Sequence, residues 1–307
     1  MTTPKVYVCG ATGTQGGALA RQLRAMGWDV HTTTRTPTSP AAQSLASIGV
    51  KLYGGDWYDE TSLKDAISGC NMLFVNTMPN FANLASESDA AMNILRVAQT
   101  SGVTHVIYSS AIFIPSRSEL GPDHLVNIAY GSKQRIEQAV RTWGFKHWTI
   151  LRPGYFMANF LQPKVGMLYP SSAESGIFRV ALRPNTGLTL IDEQDVAAFA
   201  VAAFQTPDTF HEQVIDIVGE ILGADKVFEM ISQATGRDIR RVYMSDDEVR
   251  EAQASNPLIT SQILARSMEE LIDRDKIRSW GVPLSSFANF LERQKKEFEE
   301  TYLRGEK

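Results

Sequence analysis

Three glycines supply the first chemistry in this chain. Gly10, Gly13 and Gly16 keep a G-x-x-G-x-x-G spacing within Lys5-Val-Tyr-Val-Cys-Gly-Ala-Thr-Gly-Thr-Gln-Gly-Gly17. The apolar run Val6-Tyr-Val-Cys9 before them reads as a buried strand, and Leu19, Leu23 and Met26 after them recur at helical spacing. A strand, a glycine turn and a helix in that order form a phosphate site. Gly10 permits the tight turn, Gly13 lets a pyrophosphate approach the backbone, and Gly16 lets helix and sheet pack closely. The free N–H groups and the positive dipole end of the helix then face the phosphates. Thr12, Gly13, Thr14, Gln15 and Gly16 form the loop that would contact a dinucleotide.

The end of the second strand bears on which dinucleotide. An acidic residue there would bind the adenosine ribose and repel a 2′-phosphate. The chain instead has Thr33-Thr34-Arg35-Thr36, with Arg35 about 20 residues past the turn. A planar guanidinium suits a phosphate, so NADP(H) is the expected cofactor, with Thr34 adding a hydroxyl. The bland alternative is a solvated loop arginine. Asp56, with Trp57 beside it, would receive the adenine amino group or serve only as an exposed turn residue.

The elements that must position these groups alternate. Strands are expected at Val6–Cys9, Asp29–Thr34, Val50–Tyr53, Asn71–Val75, Val103–Tyr108 and His147–Leu151. Helices are expected at Asp59–Ile67, Ser86–Thr100 and Tyr130–Trp143, besides the one after the glycines. Such strand–helix repeats imply an α/β, doubly wound parallel (Rossmann) sheet. Its ligands lie outside the carboxyl ends of the strands. Asn76, Thr77 and Met78 follow the fourth strand there, Ser109 ends the fifth, and Pro153, Gly154, Tyr155 and Phe156 follow the sixth. After Leu151 the pattern becomes irregular, rich in Pro, Gly and Ser, with a helix at Asp192–Phe204, a strand at Val214–Val218 and a helix at Ala224–Thr235. The division expected is a dinucleotide-binding domain over 1–155 and a smaller, irregular C-terminal cap over 156–307, part of which returns to the sheet.

The chain has 307 residues, 43% of them hydrophobic, and a net charge of −4. That composition describes a globular protein with no general attraction to nucleic acid or anionic membranes. No apolar run is long enough to span a bilayer. The two cysteines, Cys9 and Cys70, lack metal-ligand spacing and read as buried hydrophobes, so no metal is expected. No signal-peptide core precedes the first strand, and a cytoplasmic location is the default.

Several segments together resemble the NmrA-like family, a branch of the atypical short-chain dehydrogenase/reductases. They are Gly10-Ala-Thr-Gly-Thr-Gln-Gly-Gly17, Gly55-Asp56-x-x-Asp59-x-x-Ser62-Leu63, Tyr108-Ser109-Ser110, Leu151-Arg-Pro-Gly-Tyr-Phe-Met-Ala-Asn-Phe160 and Ile191-Asp-Glu-Gln-Asp195. The resemblance spans about residues 5–240 and implies NADP(H) or NAD(H) binding. It implies one of two uses. The first is an NADPH-dependent reductase of a small hydrophobic carbonyl, quinone or enone. The second is a non-catalytic redox sensor acting through a protein partner.

Short-chain reductases with a full site carry a Tyr-x-x-x-Lys pair after the fifth strand. Lys133 stands where that lysine belongs, but the position four before it is Ala129, and Tyr130 is displaced to i−3. By resemblance, Lys133 would hold the nicotinamide ribose or transfer the proton. Tyr130 and Tyr155 are the other candidate proton donors. The bland readings are a helix lysine paired with Glu137, and two packing tyrosines. Phe81, Phe113, Phe156, Met157 and Phe160 would line a pocket for a hydrophobic or aromatic substrate, or simply fill a core. Substrate, direction and oligomeric state stay open, a homodimer included.

Overall fold

Alternation of short, fully apolar strands with amphipathic helices builds a parallel sheet covered on both faces. The computed structural model describes residues 3–78, 83, 86–113, 121, 124–256 and 258–302. Its strands are β1 (Lys5–Val8), β2 (Asp29–Thr34), β3 (Lys51–Gly54), β4 (Met72–Val75), β5 (His105–Ser109) and β6 (His147–Pro153). The helices between them are α1 (Thr14–Ala25), α2 (Pro40–Ser47), α3 (Glu60–Ile67), α4 (Ser86–Thr100) and α5 (Leu125–Thr142). Val6, Tyr7 and Val8 of β1, Leu73 and Phe74 of β4 and Val106 and Ile107 of β5 are wholly buried. Each such apolar side chain contributes about 1.5–3 kcal/mol. Side-chain caps fix two helix starts: Ser39 accepts from the Ala42 N–H, and Asp59 accepts from Thr61 and Ser62.

The chain forms two compact units. The first comprises 1–111, 122–153 and 193–217. Its sheet includes a late strand, with β7 (Tyr155–Phe156), β8 (Ile177–Val180) and β9 (Gly187–Ile191) intervening in sequence before β10 (Gln213–Ile217). The strand order is β10-β6-β5-β4-β1-β2-β3, every pair parallel. From the C-terminal half, β10 pairs with β6 in register Ile215 to Leu151. The order reverses between β1 and β4, which opens a crevice at their carboxyl ends. The Glu193–Gln205 helix packs on α1, where the Gln22 amide donates to Gln194.

The second unit comprises 112–121, 154–192 and 218–307. It holds β11 (Glu220–Gly223), antiparallel to β9, whose other edge pairs with β7. It also holds β12 (Arg240–Tyr243), which pairs in parallel with β8. An aromatic core of Phe160, Tyr169, Phe178, Phe228, Phe287 and Phe290 fills it. The stretch read from sequence as irregular consists of elements two to five residues long, including Lys164–Leu168 and Ser172–Ser175. Such lengths are too short to show a period. The basic run at 237–241 is spent inside this unit. Arg237 donates to the Ala173, Glu174 and Tyr302 carbonyls, and Arg241 pairs with Asp225.

Among the described residues, no helix is long and apolar enough to cross a membrane.

Candidate functional site

At the end of β1 the backbone turns through Gly10 at φ +67°, and the Gly13 N–H donates to the Gly10 carbonyl at 2.9 Å. A Cβ at Gly10 would stand 3.1 Å from the Asn76 carbonyl and 4.0 Å from the Trp57 ring. A Cβ at Gly16 would strike the Gly10 carbonyl oxygen at 2.5 Å, so this position fixes how closely α1 approaches the strand end. Gly13 is the N-cap of α1 and brings no capping side chain; the first turn contains no acid. A helix start with neither a capping side chain nor an acid in its first turn suits an anion.

Beside that start is a cavity of about 210 Å³, lined by Thr12, Gly13, Thr14, Arg21, Glu193 and Gln194, among others. Sequence reasoning found the glycines and threonines and missed Arg21, Glu193 and Gln194. The signal for the last two was the Ile191-Asp-Glu-Gln-Asp195 motif, whose helix carries them to the loop.

Other expected contacts gather around the same edge. The Ser109 hydroxyl donates to the Gln15 side chain at 2.7 Å and ties the end of β5 to the first turn of α1. The buried Thr77 hydroxyl, just past β4, has no hydrogen-bond partner among the described residues. A buried unpaired hydroxyl is a cost that a bound polar ligand would remove. Met78 is 65% exposed. Asp56 accepts from the Tyr58 and Asp59 N–H groups through one oxygen, and the Trp57 carbonyl accepts from Asn93. Thr34 is buried, and its hydroxyl oxygen accepts from the Thr36 N–H. Arg35 beside it is exposed and has no ion-pair partner among the described residues. The uncapped glycine turn, the orphaned Thr77 hydroxyl and the cavity at the helix start fit a dinucleotide pyrophosphate.

Lys133 lies in α5, and its Nζ sits 2.6 Å from a carboxylate oxygen of Glu87, in the first turn of α4. Glu87 is wholly buried; the Lys133 side chain is 19% exposed. Burial pushes the Glu87 carboxyl up, an effect that the lysine opposes. The second Glu87 oxygen is buried without a hydrogen-bond partner among the described residues. The pairing of Lys133 with Glu137 expected from i,i+4 spacing does not form. Glu137 is taken by Arg152 of β6, in a two-point contact at 2.9 and 2.7 Å, and by the Ser110 hydroxyl at 2.7 Å. Nothing in the sequence pointed to Glu87, which is 46 residues from its partner. Tyr130 is half-buried, three residues before Lys133 on the same helix.

The residues after β6 hold structural posts of their own. Pro153 pairs with Ile217 of β10. A Cβ at Gly154 would collide with the Thr189 carbonyl at 2.4 Å, so glycine is needed for the chain to pass β9. Tyr155 is buried in the second unit, with its hydroxyl 2.7 Å from that of Tyr169; burial pushes it up to about 12. That placement matches a core aromatic. Phe156 is half-buried under the Lys164 ammonium. Met157 and Phe160 are core residues of this unit, Phe113 is half-buried, and Phe81 lies outside the described residues.

Cys70, His31 and Asp29 form a chain of contacts at 3.6 and 3.4 Å. It is not a nucleophile site. The ring Nδ1 sits 2.8 Å from the Ala66 carbonyl, and burial pushes the thiol up to about 12. Among the described residues, no group of three or more His, Cys, Asp or Glu could hold a metal.

Residues 2–278 match the NmrA-like family. The chain belongs to that family. It is 32% identical over 169 residues to the NmrA-like family domain-containing oxidoreductase himF of Aspergillus japonicus. That match covers 53% of this chain and 50% of himF, so it spans about half of that relative. It is 28% identical over 270 residues to an NAD(P)H azoreductase of Xenophilus azovorans, covering 87% of this chain and 85% of the relative. In structure it is similar to NmrA, a negative transcriptional regulator solved in complex with NAD. There the TM-score is 0.77 at 20% identity, over 98% of both chains. The same regulator has been solved with NADP, with a TM-score of 0.75. These likenesses bear out the family and the Rossmann-like fold expected from the glycine turn.

Proposed function

We propose that this protein is an NADPH-dependent reductase of small, hydrophobic, conjugated acceptors: carbonyls, quinones or enones. The observation that carries the reading is Lys133. Its ammonium stands on the helix after β5, partly exposed, with a buried carboxylate at its back. The NAD(P)H azoreductase relative supports a reducing role and suggests that flat azo compounds belong to the same acceptor class.

Gly10, Gly13 and Gly16 would shape the backbone around the pyrophosphate, and the α1 N-terminus would neutralise it. Arg35 would pair with the 2′-phosphate, and Thr77 would offer its free hydroxyl to the nicotinamide half. Bound NADPH supplies the hydride. Lys133 holds the ribose or gives its proton to the acceptor oxygen, the role left open by the missing tyrosine. Tyr130 is the alternative donor, since residues at i and i+3 share a helix face.

The test is NADPH oxidation by the purified protein against quinones, enones, aromatic ketones and an azo dye, with NADPH affinity measured on the same sample and on Lys133→Ala. Turnover by the native protein and a loss of about a hundredfold or more in the variant are expected, the size of a general-acid contribution. Tight NADPH binding with no turnover on any acceptor would replace this reading with a dinucleotide sensor that works through a partner.

A further inference from the structure

We infer that Glu87 is the positioning residue of Lys133, holding in place the ammonium that takes over from the tyrosine that the sequence lacks. The inference rests on the reductase reading above and adds a residue to it. Two carboxylates lie within reach of α5, and their duties are separate. Glu137 is engaged by Arg152 and Ser110, so it locks α5 to β6 and to the end of β5. Glu87 makes its ion pair with Lys133 alone among the described residues, at 2.6 Å, through one oxygen.

Its other oxygen is buried and has no hydrogen-bond partner among the described residues. Burying a carboxylate is expensive unless it is fully paired, and a pair serving only to join two helices works as well at their surface. Arg135 and Ser88 already make a second polar tie between the same helices, at 3.1 Å. What Glu87 adds is a fixed anion behind one particular ammonium.

Among the described residues, the titratable groups facing this carboxylate are Lys133 from α5 and Tyr108 from β5. Tyr108 is buried, and burial holds its hydroxyl well above the usual range, so it stays neutral. The anion at Glu87 therefore acts on Lys133. A carboxylate at this distance holds the ammonium in one place and leaves the Nζ–H bonds it does not use to the acceptor. In the reduction, an Nζ–H bond breaks and an O–H bond forms on the acceptor, as the hydride from NADPH completes the two-electron change. The amine, still beside its carboxylate, then recovers a proton from water.

The experiment compares the native protein with Glu87→Gln and Glu87→Asp. One readout is the pH dependence of quinone reduction. The other needs no turnover: the rate at which acetic anhydride acetylates Lys133 in the cofactor-free protein, read by peptide mass. Glu87→Gln keeps the shape and removes the charge. It releases the amine from its ion pair, so Lys133 is expected to be acetylated about tenfold faster and the alkaline limb of activity to be displaced. Glu87→Asp keeps the charge, is the safeguard should the glutamine variant not fold, and should fall between. Native acetylation rates and a native pH limb in both variants would overturn the inference. Faster acetylation in Glu87→Gln with no native turnover would uphold the coupling and defeat the reductase reading instead.

Discussion

Arg35 poses the sharpest question at the scale of single residues. It follows the end of β2, exposed and with no ion-pair partner among the described residues, where a carboxylate would exclude a 2′-phosphate. A charge-assisted bond from Arg35 to such a phosphate would contribute roughly 1.5–3 kcal/mol. Arg35→Ala is therefore expected to weaken NADPH at least about tenfold and leave NADH nearly unchanged. Fluorescence titration with both cofactors measures this, and equal losses would remove the 2′-phosphate role. This residue could be read from the sequence because its position is set locally, by one turn, one helix and one strand. The same holds for Gly16, where spacing alone foretold the close contact with Gly10. Glu87 could not be read that way. Its partner is fixed by how α4 and α5 pack, and no local pattern encodes that.

At the scale of elements, α5 carries Lys133, and two devices set the helix's position. His124 caps its start, accepting from the Val126 N–H, and Glu137 bonds it to Arg152 and Ser110. The second device is the stronger, because Glu137 is almost fully buried and Arg152 mostly so. Removing one partner of a buried pair leaves the other charge uncompensated. Glu137→Ala is expected to lower stability by about 3 kcal/mol, seen as an earlier denaturant midpoint. A loss below about 0.5 kcal/mol, as at an exposed pair, would show that the contact is incidental. The helix itself starts five residues before its expected Tyr130, because its apolar stripe begins only at Ile136 while its first turns are half-buried. The central strands were legible for the opposite reason: parallel strands covered on both faces are nearly all apolar. β7, β8, β9 and β11 are short, and β8 alternates over only four residues. Their pairing is decided by the aromatic core around Phe160 and Phe228, not by local propensity.

For the molecule as a whole, the central sheet divides its work between its edges. The carboxyl edge holds the glycine turn and the orphaned hydroxyl. The amino edge is packed with imidazoles. His105 opens β5, His147 opens β6 directly beside it, and His211 precedes β10. Their rings follow one another at 5.6 and 5.4 Å, with Phe204 5.1 Å from His105. Burial, then the neighbouring imidazoles, pushes His105 down to about 3, and burial lowers His147 as well. An unfolded chain would protonate both near pH 6.5, whereas the folded one keeps His105 neutral down to about 3. Below pH 6.5 the unfolded state therefore binds more protons, and stability falls as pH falls. Each such histidine contributes a slope of up to about 1.4 kcal/mol per pH unit. Urea denaturation between pH 7.5 and 5 is expected to show this loss, and His105→Phe to reduce the slope by close to one proton. An unchanged slope in that variant would mean that His105 takes up its proton in the folded state. NADH affinity corrected for the unfolded fraction should stay level across the same range, because its pyrophosphate does not titrate there and the imidazoles lie at the opposite strand ends from the glycine turn.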